Sequence, residues 1–259
     1  VLVLLTLLGC RETLVPGVAA PERDAQRAWG KLLRQAVTDD GYVDYDVLEA
    51  DRAALDGYVA WLGTEGAWEG RLNKDWHAQY LNAYNALTIF QVLVRGRPAS
   101  VLDVPSIVPV SGFGFFYATD FKLDNEELSL AEIEHERLRQ KELDYRDHAA
   151  LNCASRSCPP LRNELYRTPQ LNDQLQNQME RWVADDERGV RIVDGAVVMS
   201  PLFDWYNRDF EFGSIGQNVC EVAAQFAEGE KRAVLKRLAG EGCPHTTFEY
   251  DWSLNDSSR

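Results

Sequence analysis

Positive charge, histidine and long hydrophobic runs are what this 259-residue chain has least of: 27 Lys and Arg stand against 41 Asp and Glu, and there are 4 histidines. Each shortage narrows the function. A net charge of −14 excludes nucleic acid as the expected partner, because neutralising phosphates takes clustered Lys and Arg. It disfavours an anionic membrane surface for the same reason. The apolar run at residues 1–10 has about half of the roughly 20 residues that a helix needs to span a bilayer. The sequence carries no internal repeat, no low-complexity tract, no phosphate-cradling glycine loop and no Cys-x-x-Cys pair, so a repeat array, a nucleotide pocket and a thioredoxin-type motif are not expected. Scarce histidine also keeps the candidate bases few: His77, His135, His148 and His245.

What is present suffices for a large core. Hydrophobic residues make up 45% of the chain, with 7 Trp, 10 Tyr and 10 Phe, ample for a mixed domain of this length. Residues 22–37 and 46–62 have helical spacing, the second with Leu48, Leu55, Tyr58 and Leu62 along one side. Residues 76–94 form the longest helix candidate. One stripe holds Trp76, Tyr80, Ala83, Tyr84, Leu87 and Val94, and Ile89, Val92 and Leu93 lie opposite, which predicts burial on both sides. Asn82 and Asn85 would be enclosed there, needing partners, and are candidates to line a substrate site. Residues 121–123 and the Asp124-Asn125 turn predict a hairpin. Ser129 with Glu132 forms a capping box that opens a helix ending near Arg139. Thr168-Pro169 starts another, to about Ala184. Residues 190–193 and 196–199 flank a two-residue Asp194-Gly195 turn. Residues 215–227 and 230–239 read as helices, and 248–252 as a closing strand. The expected fold class is α+β: a single mixed domain with a central buried helix packed on a small, mainly antiparallel sheet.

The chemistry concentrates in residues 148–161, His-Ala-Ala-Leu-Asn-Cys-Ala-Ser-Arg-Ser-Cys-Pro-Pro-Leu. The apolar run 149–151 reads as a strand that delivers Cys153 to a small polar turn, and Pro159-Pro160 stops regular structure. A cysteine nucleophile needs a base, and a third group to orient that base. Along a straight strand His148 and Cys153 would be five steps, roughly 16 Å, apart and on opposite faces, so His148 serves only if the backbone folds back. His135, a helix end and a loop away, ranks first; His245 ranks third and His77 last. Asp251, beside Trp252, is the first choice to orient the imidazole, with Glu134 and Asn255 behind it. Glu134 falls in the apolar arc of its helix and must be paired or have a raised pKa. Backbone amides near Ala154 would hold an oxyanion, and Phe115 and Phe116 would form an aromatic wall for substrate. Cys153, Cys158, Cys220 and Cys243 allow three fully paired connectivities; the expectation joins Cys220 to Cys243 as a structural bridge.

This stretch looks like the signature of the domain of unknown function 547 family. Segments 80–89, 130–139, 202–210 and 250–255 match the same family in the same order. The resemblance implies a fold similar to papain-like and transglutaminase-like cysteine enzymes with permuted order. Leu7-Leu8-Gly9-Cys10 resembles a bacterial lipobox, which implies cleavage before Cys10, lipidation of its thiol and, with Arg11 following, the outer membrane rather than the inner. A basic segment is expected upstream of Val1. The chain then divides into a signal-peptide remnant at 1–9, a lipidated tether at 10–22 and the domain at 23–259. The leading expectation is a periplasmic, membrane-anchored cysteine hydrolase or acyl transferase acting on amide or peptide bonds, with no cofactor. Two alternatives stand beside it: reversible thiol–disulfide chemistry at Cys153 and Cys158, and a non-enzymatic binding lipoprotein using residues 111–117. Zinc on His148, Cys153 and Cys158 is remote, since no recognised ligand spacing is present.

Overall fold

Ala25, Trp29, Leu32, Leu33 and Ala36 recur at helical spacing along the helix Glu22–Ala36, and all are buried. They pack on Leu55, Tyr58, Val59 and Leu62 of the helix Arg52–Leu62, with Trp29 and Tyr58 stacked 6.2 Å apart. The computed structural model describes residues 11–16, 22–68, 73–140, 144–213 and 217–258; the expected signal remnant and Cys10 lie outside them. Among the described residues, no helix is long and apolar enough to cross a membrane.

The central helix is Asn73–Val94. Leu81, Ala83, Ala86, Leu87 and Val92 are wholly buried on its several sides, as an all-round apolar helix requires, and each large side chain so buried contributes roughly 1.5–3 kcal/mol. Its asparagines are spent on backbone. Asn82 donates to Tyr166 O (2.9 Å) and accepts from Tyr166 N (2.8 Å). Asn85 donates to Ala150 O (2.9 Å) and accepts from Asn152 N (2.8 Å). Asn85 therefore fixes the backbone that leads to Cys153.

The structure is α+β, but the sheet differs from expectation. Two small sheets replace one mainly antiparallel sheet, and each has one parallel and one antiparallel pairing. In the first, β1 (Glu12–Leu14) runs parallel to β2 (Thr119–Leu123), which pairs antiparallel with β3 (Glu126–Ser129). In the second, β4 (Val190–Val193) pairs antiparallel with β5 (Ala196–Met199), which runs parallel to β6 (His245–Thr247). The β4–β5 hairpin turns on Asp194 and Gly195, both at positive φ (51° and 78°), the backbone that a two-residue hairpin demands. The two outer strands are three residues each, too short for a periodic signal. β1 thus docks what was expected to be tether, and β6 precedes the predicted closing strand, which is irregular.

Apolar side chains gather in two clusters. The first surrounds the central helix; the second holds Trp182, Phe203, Phe210, Cys220 and Leu235. The helix Leu171–Ala184 runs through both, giving Leu171 and Leu175 to one and Met179, Trp182 and Val183 to the other, and Trp252 packs against both. The capping box forms as expected, Ser129 accepting from Glu132 N (3.3 Å) while Glu132 accepts from Ser129 N (2.8 Å). Beyond it the helix widens into a π-helical stretch, Ile133–Arg139, a form that recurs at functional sites.

Candidate cysteine-centred site

The segment expected as a strand before Cys153 is a helical turn, Asp147–Ala150, after which Leu151 leaves in extended backbone. That turn is the folding back that His148 needed. A cavity of about 170 Å³ at the seam of the two clusters is lined by His148 and Cys153 together, and by Glu134, His135, Cys158 and Tyr250.

Asn152 holds the turn from inside, accepting from Ala154 N (3.0 Å) and Asn255 Nδ2 (2.9 Å) and donating to Pro159 O (2.8 Å). Ala154 sits at φ 61°, a left-handed conformation that a non-glycine residue rarely adopts, and its carbonyl accepts from Asn255 N (3.0 Å). Cys153 and Cys158 are joined by a disulfide, and Cys153 N donates to Cys158 Sγ (2.8 Å). Cys153 is half-buried on the cavity wall, whereas Cys158 is buried. Ser155 Oγ lies 2.9 Å and Tyr250 Oη 3.5 Å from the Cys153 sulfur. The amides of Cys153 and Ala154 are both engaged, with Cys158 Sγ and Asn152 Oδ1.

His148 Nε2 donates to Asp209 Oδ2 (2.8 Å), and its ring stacks on Tyr206 at 4.0 Å. Arg139 forks onto the same carboxylate, NH2 reaching Oδ1 at 3.0 Å, and its NH1 donates to His135 Nδ1 (2.8 Å). Because guanidinium only donates, His135 accepts at Nδ1 and can carry its own proton only on Nε2. Both cavity histidines are thereby wired to Asp209. Burial pushes that carboxyl up, but the bonds from His148 and Arg139 outweigh it and hold Asp209 well below the ordinary carboxylate range. The neighbouring residue behaves oppositely. Asp147 accepts from His77 Nε2 (2.8 Å) in a fully enclosed position, and burial leaves its carboxyl above the ordinary value.

Glu134 accepts from Tyr206 Oη (2.7 Å) and Tyr84 Oη (3.4 Å), so this half-buried carboxylate is paired. Burial, followed by that carboxylate, raises the pKa of both phenols. Of the remaining candidates, Phe116 lines the cavity and Phe115 is wholly buried behind it. Asp251 lies in a different depression with Tyr42 and Arg188, its carboxylate accepting from Ser253 N (2.9 Å). Asn255 is a buried strut, accepting from Tyr45 Oη (2.8 Å). His245 pairs with Asp204 (2.9 Å) away from this cavity. Cys220 and Cys243 are bridged as expected. Asp209 and Arg139 are the residues that sequence reasoning passed over. Asp209 stands in the quoted segment 202–210, an acid beside Phe210, and that adjacency to a core aromatic was the available signal.

Residues 73–183 match the family described as Protein of unknown function, DUF547. No curated protein and no solved structure matches the chain. The matched span contains Glu134, His135, His148 and both cavity cysteines but stops before Asp209 and Tyr250, so the carboxylate bonded to His148 comes from outside it.

Proposed function

We propose that Cys153 and Cys158 form a thiol–disulfide exchange site. The asymmetry of the pair carries this reading: both cysteines line the cavity, but Cys153 is only half-buried whereas Cys158 is 3% exposed. An incoming thiolate attacks the accessible Cys153 sulfur, the Cys153–Cys158 bond breaks with its electron pair on Cys158, and a mixed disulfide forms at Cys153. The Cys153 amide, 2.8 Å from the Cys158 sulfur, stabilises the departing thiolate, and a better leaving group speeds exchange. A second thiolate of the same partner then attacks the partner's own sulfur and releases Cys153. The partner leaves oxidised to a disulfide, and the pair is left as two thiols. His148, kept in place by Asp209, exchanges protons with the thiols at the cavity. Cys158→Ser tests the scheme: oxidation of a reduced dithiol peptide should cease, because no bridge remains to take its electrons, while the lone Cys153 thiol should attack a symmetric peptide disulfide, release one peptide thiol and hold the other peptide as a mixed disulfide; continued oxidation of the dithiol peptide would overturn it.

A second reading has its own support, because an acid-oriented imidazole shares a cavity with a cysteine. After reduction of the bridge, Cys153 would be the nucleophile of an amide- or peptide-directed hydrolase or acyl transferase, with His148 as base and Asp209 in the role first given to Asp251. The permuted papain-like relationship belongs to this reading; a cleft between two apolar clusters supports it. Here Cys158→Ser frees Cys153 and raises activity on a peptide substrate, the opposite outcome to that of the exchange site.

We place the protein at the cell envelope, anchored by lipid on Cys10. Four of the five cysteines are bridged, which suits an oxidising compartment. Intact-mass measurement of protein from envelope fractions, showing no acyl adduct, would overturn the anchor.

A further inference from the structure

We propose that an apolar groove beside β1 receives an acyl chain carried on Cys10 whenever that chain is out of the bilayer; this rests on the reading of Cys10 as lipidated. The groove encloses about 690 Å³ and is lined by Ile107, Val108, Pro109, Phe113 and Tyr117, with Arg11 at its edge. That volume lies within the range of small-ligand cavities, ~300–1,000 Å³. Ile107 is 85% exposed and Tyr117 42%, apolar surface that water disfavours and an aliphatic chain would cover.

The charges at the edge argue for a neutral occupant. Arg11 is already paired with Asp120 (3.0 Å) and Glu132 (2.7 Å), and Arg95 NH2 with Glu12 (2.6 Å); Arg95 Nε has no hydrogen-bond partner among the described residues but is shut off from solvent, so each guanidinium already has its carboxylate at the groove edge. The same pairs, with β1 in register Glu12↔Thr119, pin Arg11 to the domain. Cys10 is the next residue, one Cα step of about 3.8 Å away, so whatever its sulfur carries is delivered to the groove mouth at high effective concentration. The sequence expectation of a free tether after Cys10 is replaced by a docked strand. Tyr117 also lines the Cys153 cavity, so the filled groove and the cysteine site share a wall.

The test uses the full chain under non-reducing conditions, where the two bridges leave Cys10 as the thiol to label. N-hexadecylmaleimide is attached in one sample and N-ethylmaleimide in another, and amide hydrogen exchange is followed. The hexadecyl adduct should slow exchange at residues 105–117 by about tenfold or more over the ethyl adduct. Ile107→Asp, at an exposed position, should abolish the difference without changing the circular dichroism. Equal exchange in the two adducts, or protection that survives Ile107→Asp, overturns the proposal. So does protection of the ethyl adduct that Leu4→Asp removes, because residues 1–9 would then be the occupant. Equal protection by free hexadecanoate at the protein's concentration overturns Cys10 as the source. Since the chain is attached chemically, the result stands apart from whether cells lipidate Cys10, which the mass measurement decides.

Discussion

The interior and the cavity wall of this protein are built from the same two chemical units, a disulfide and a His–Asp pair. Inside, Cys220–Cys243 closes 23 residues of chain with both cysteines buried, and His77–Asp147 is enclosed. At the wall, Cys153–Cys158 spans five residues with Cys153 half-buried, and His148–Asp209 carries Arg139 as a third member. Asp147 and His148 are adjacent in sequence, so one helical turn feeds both pairs. The difference shows that composition does not assign a role. The two histidines are equally buried, 7% exposed for His77 and 6% for His148, so what sets the second pair apart is its place on a cavity wall and the added Arg139 cation.

Substitutions can break that comparison, the largest expected effect first. Asp147→Ala leaves His77 enclosed without its carboxylate and should cost about 3–5 kcal/mol in denaturant unfolding; a smaller loss than for Asp209→Ala would mean that the enclosed pair is not the more dependent one. Replacing Cys220 and Cys243 by Ala should cost about 3 kcal/mol from loop entropy and leave peptide oxidation unchanged. Replacing Cys153 and Cys158 by Ser removes a much shorter loop and should cost about 2 kcal/mol, yet end oxidation completely. The smallest effect is in pH. Asp209, held below its ordinary value, contributes stability that is present above the unfolded value near 4 and lost as pH falls below it. Asp147, held above, has the opposite sign, its contribution fading as pH rises through the raised value. Asp209→Asn should therefore flatten the acid side of a melting-temperature profile, and Asp147→Asn should flatten the decline on the other side, each by about 1 kcal/mol.

Local chemistry was legible in the sequence. The Asp194-Gly195 hairpin, the Ser129–Glu132 box and the central helix each rest on residues within a few positions of one another. The first and last strands were not, because three residues carry no period and their parallel partners lie far along the chain. The site was half legible. Cys153, Glu134 and His135 stand in the cavity, and His148, a candidate only on condition that the backbone folds back before Cys153, stands there too because the chain turns at Asp147–Ala150. Asp251 was favoured because Trp252 adjoins it; its carboxylate is committed to the Ser253 amide. The acid that does reach the imidazole is 61 residues from it, and no local pattern announces a bond of that length.

The most direct test is a redox titration in glutathione buffers, with free thiols alkylated and mapped by mass spectrometry. The account predicts that Cys153 and Cys158 open at potentials above about −300 mV, while the interior bridge stays closed there. Both bridges opening together, or Cys220–Cys243 opening first, would contradict it.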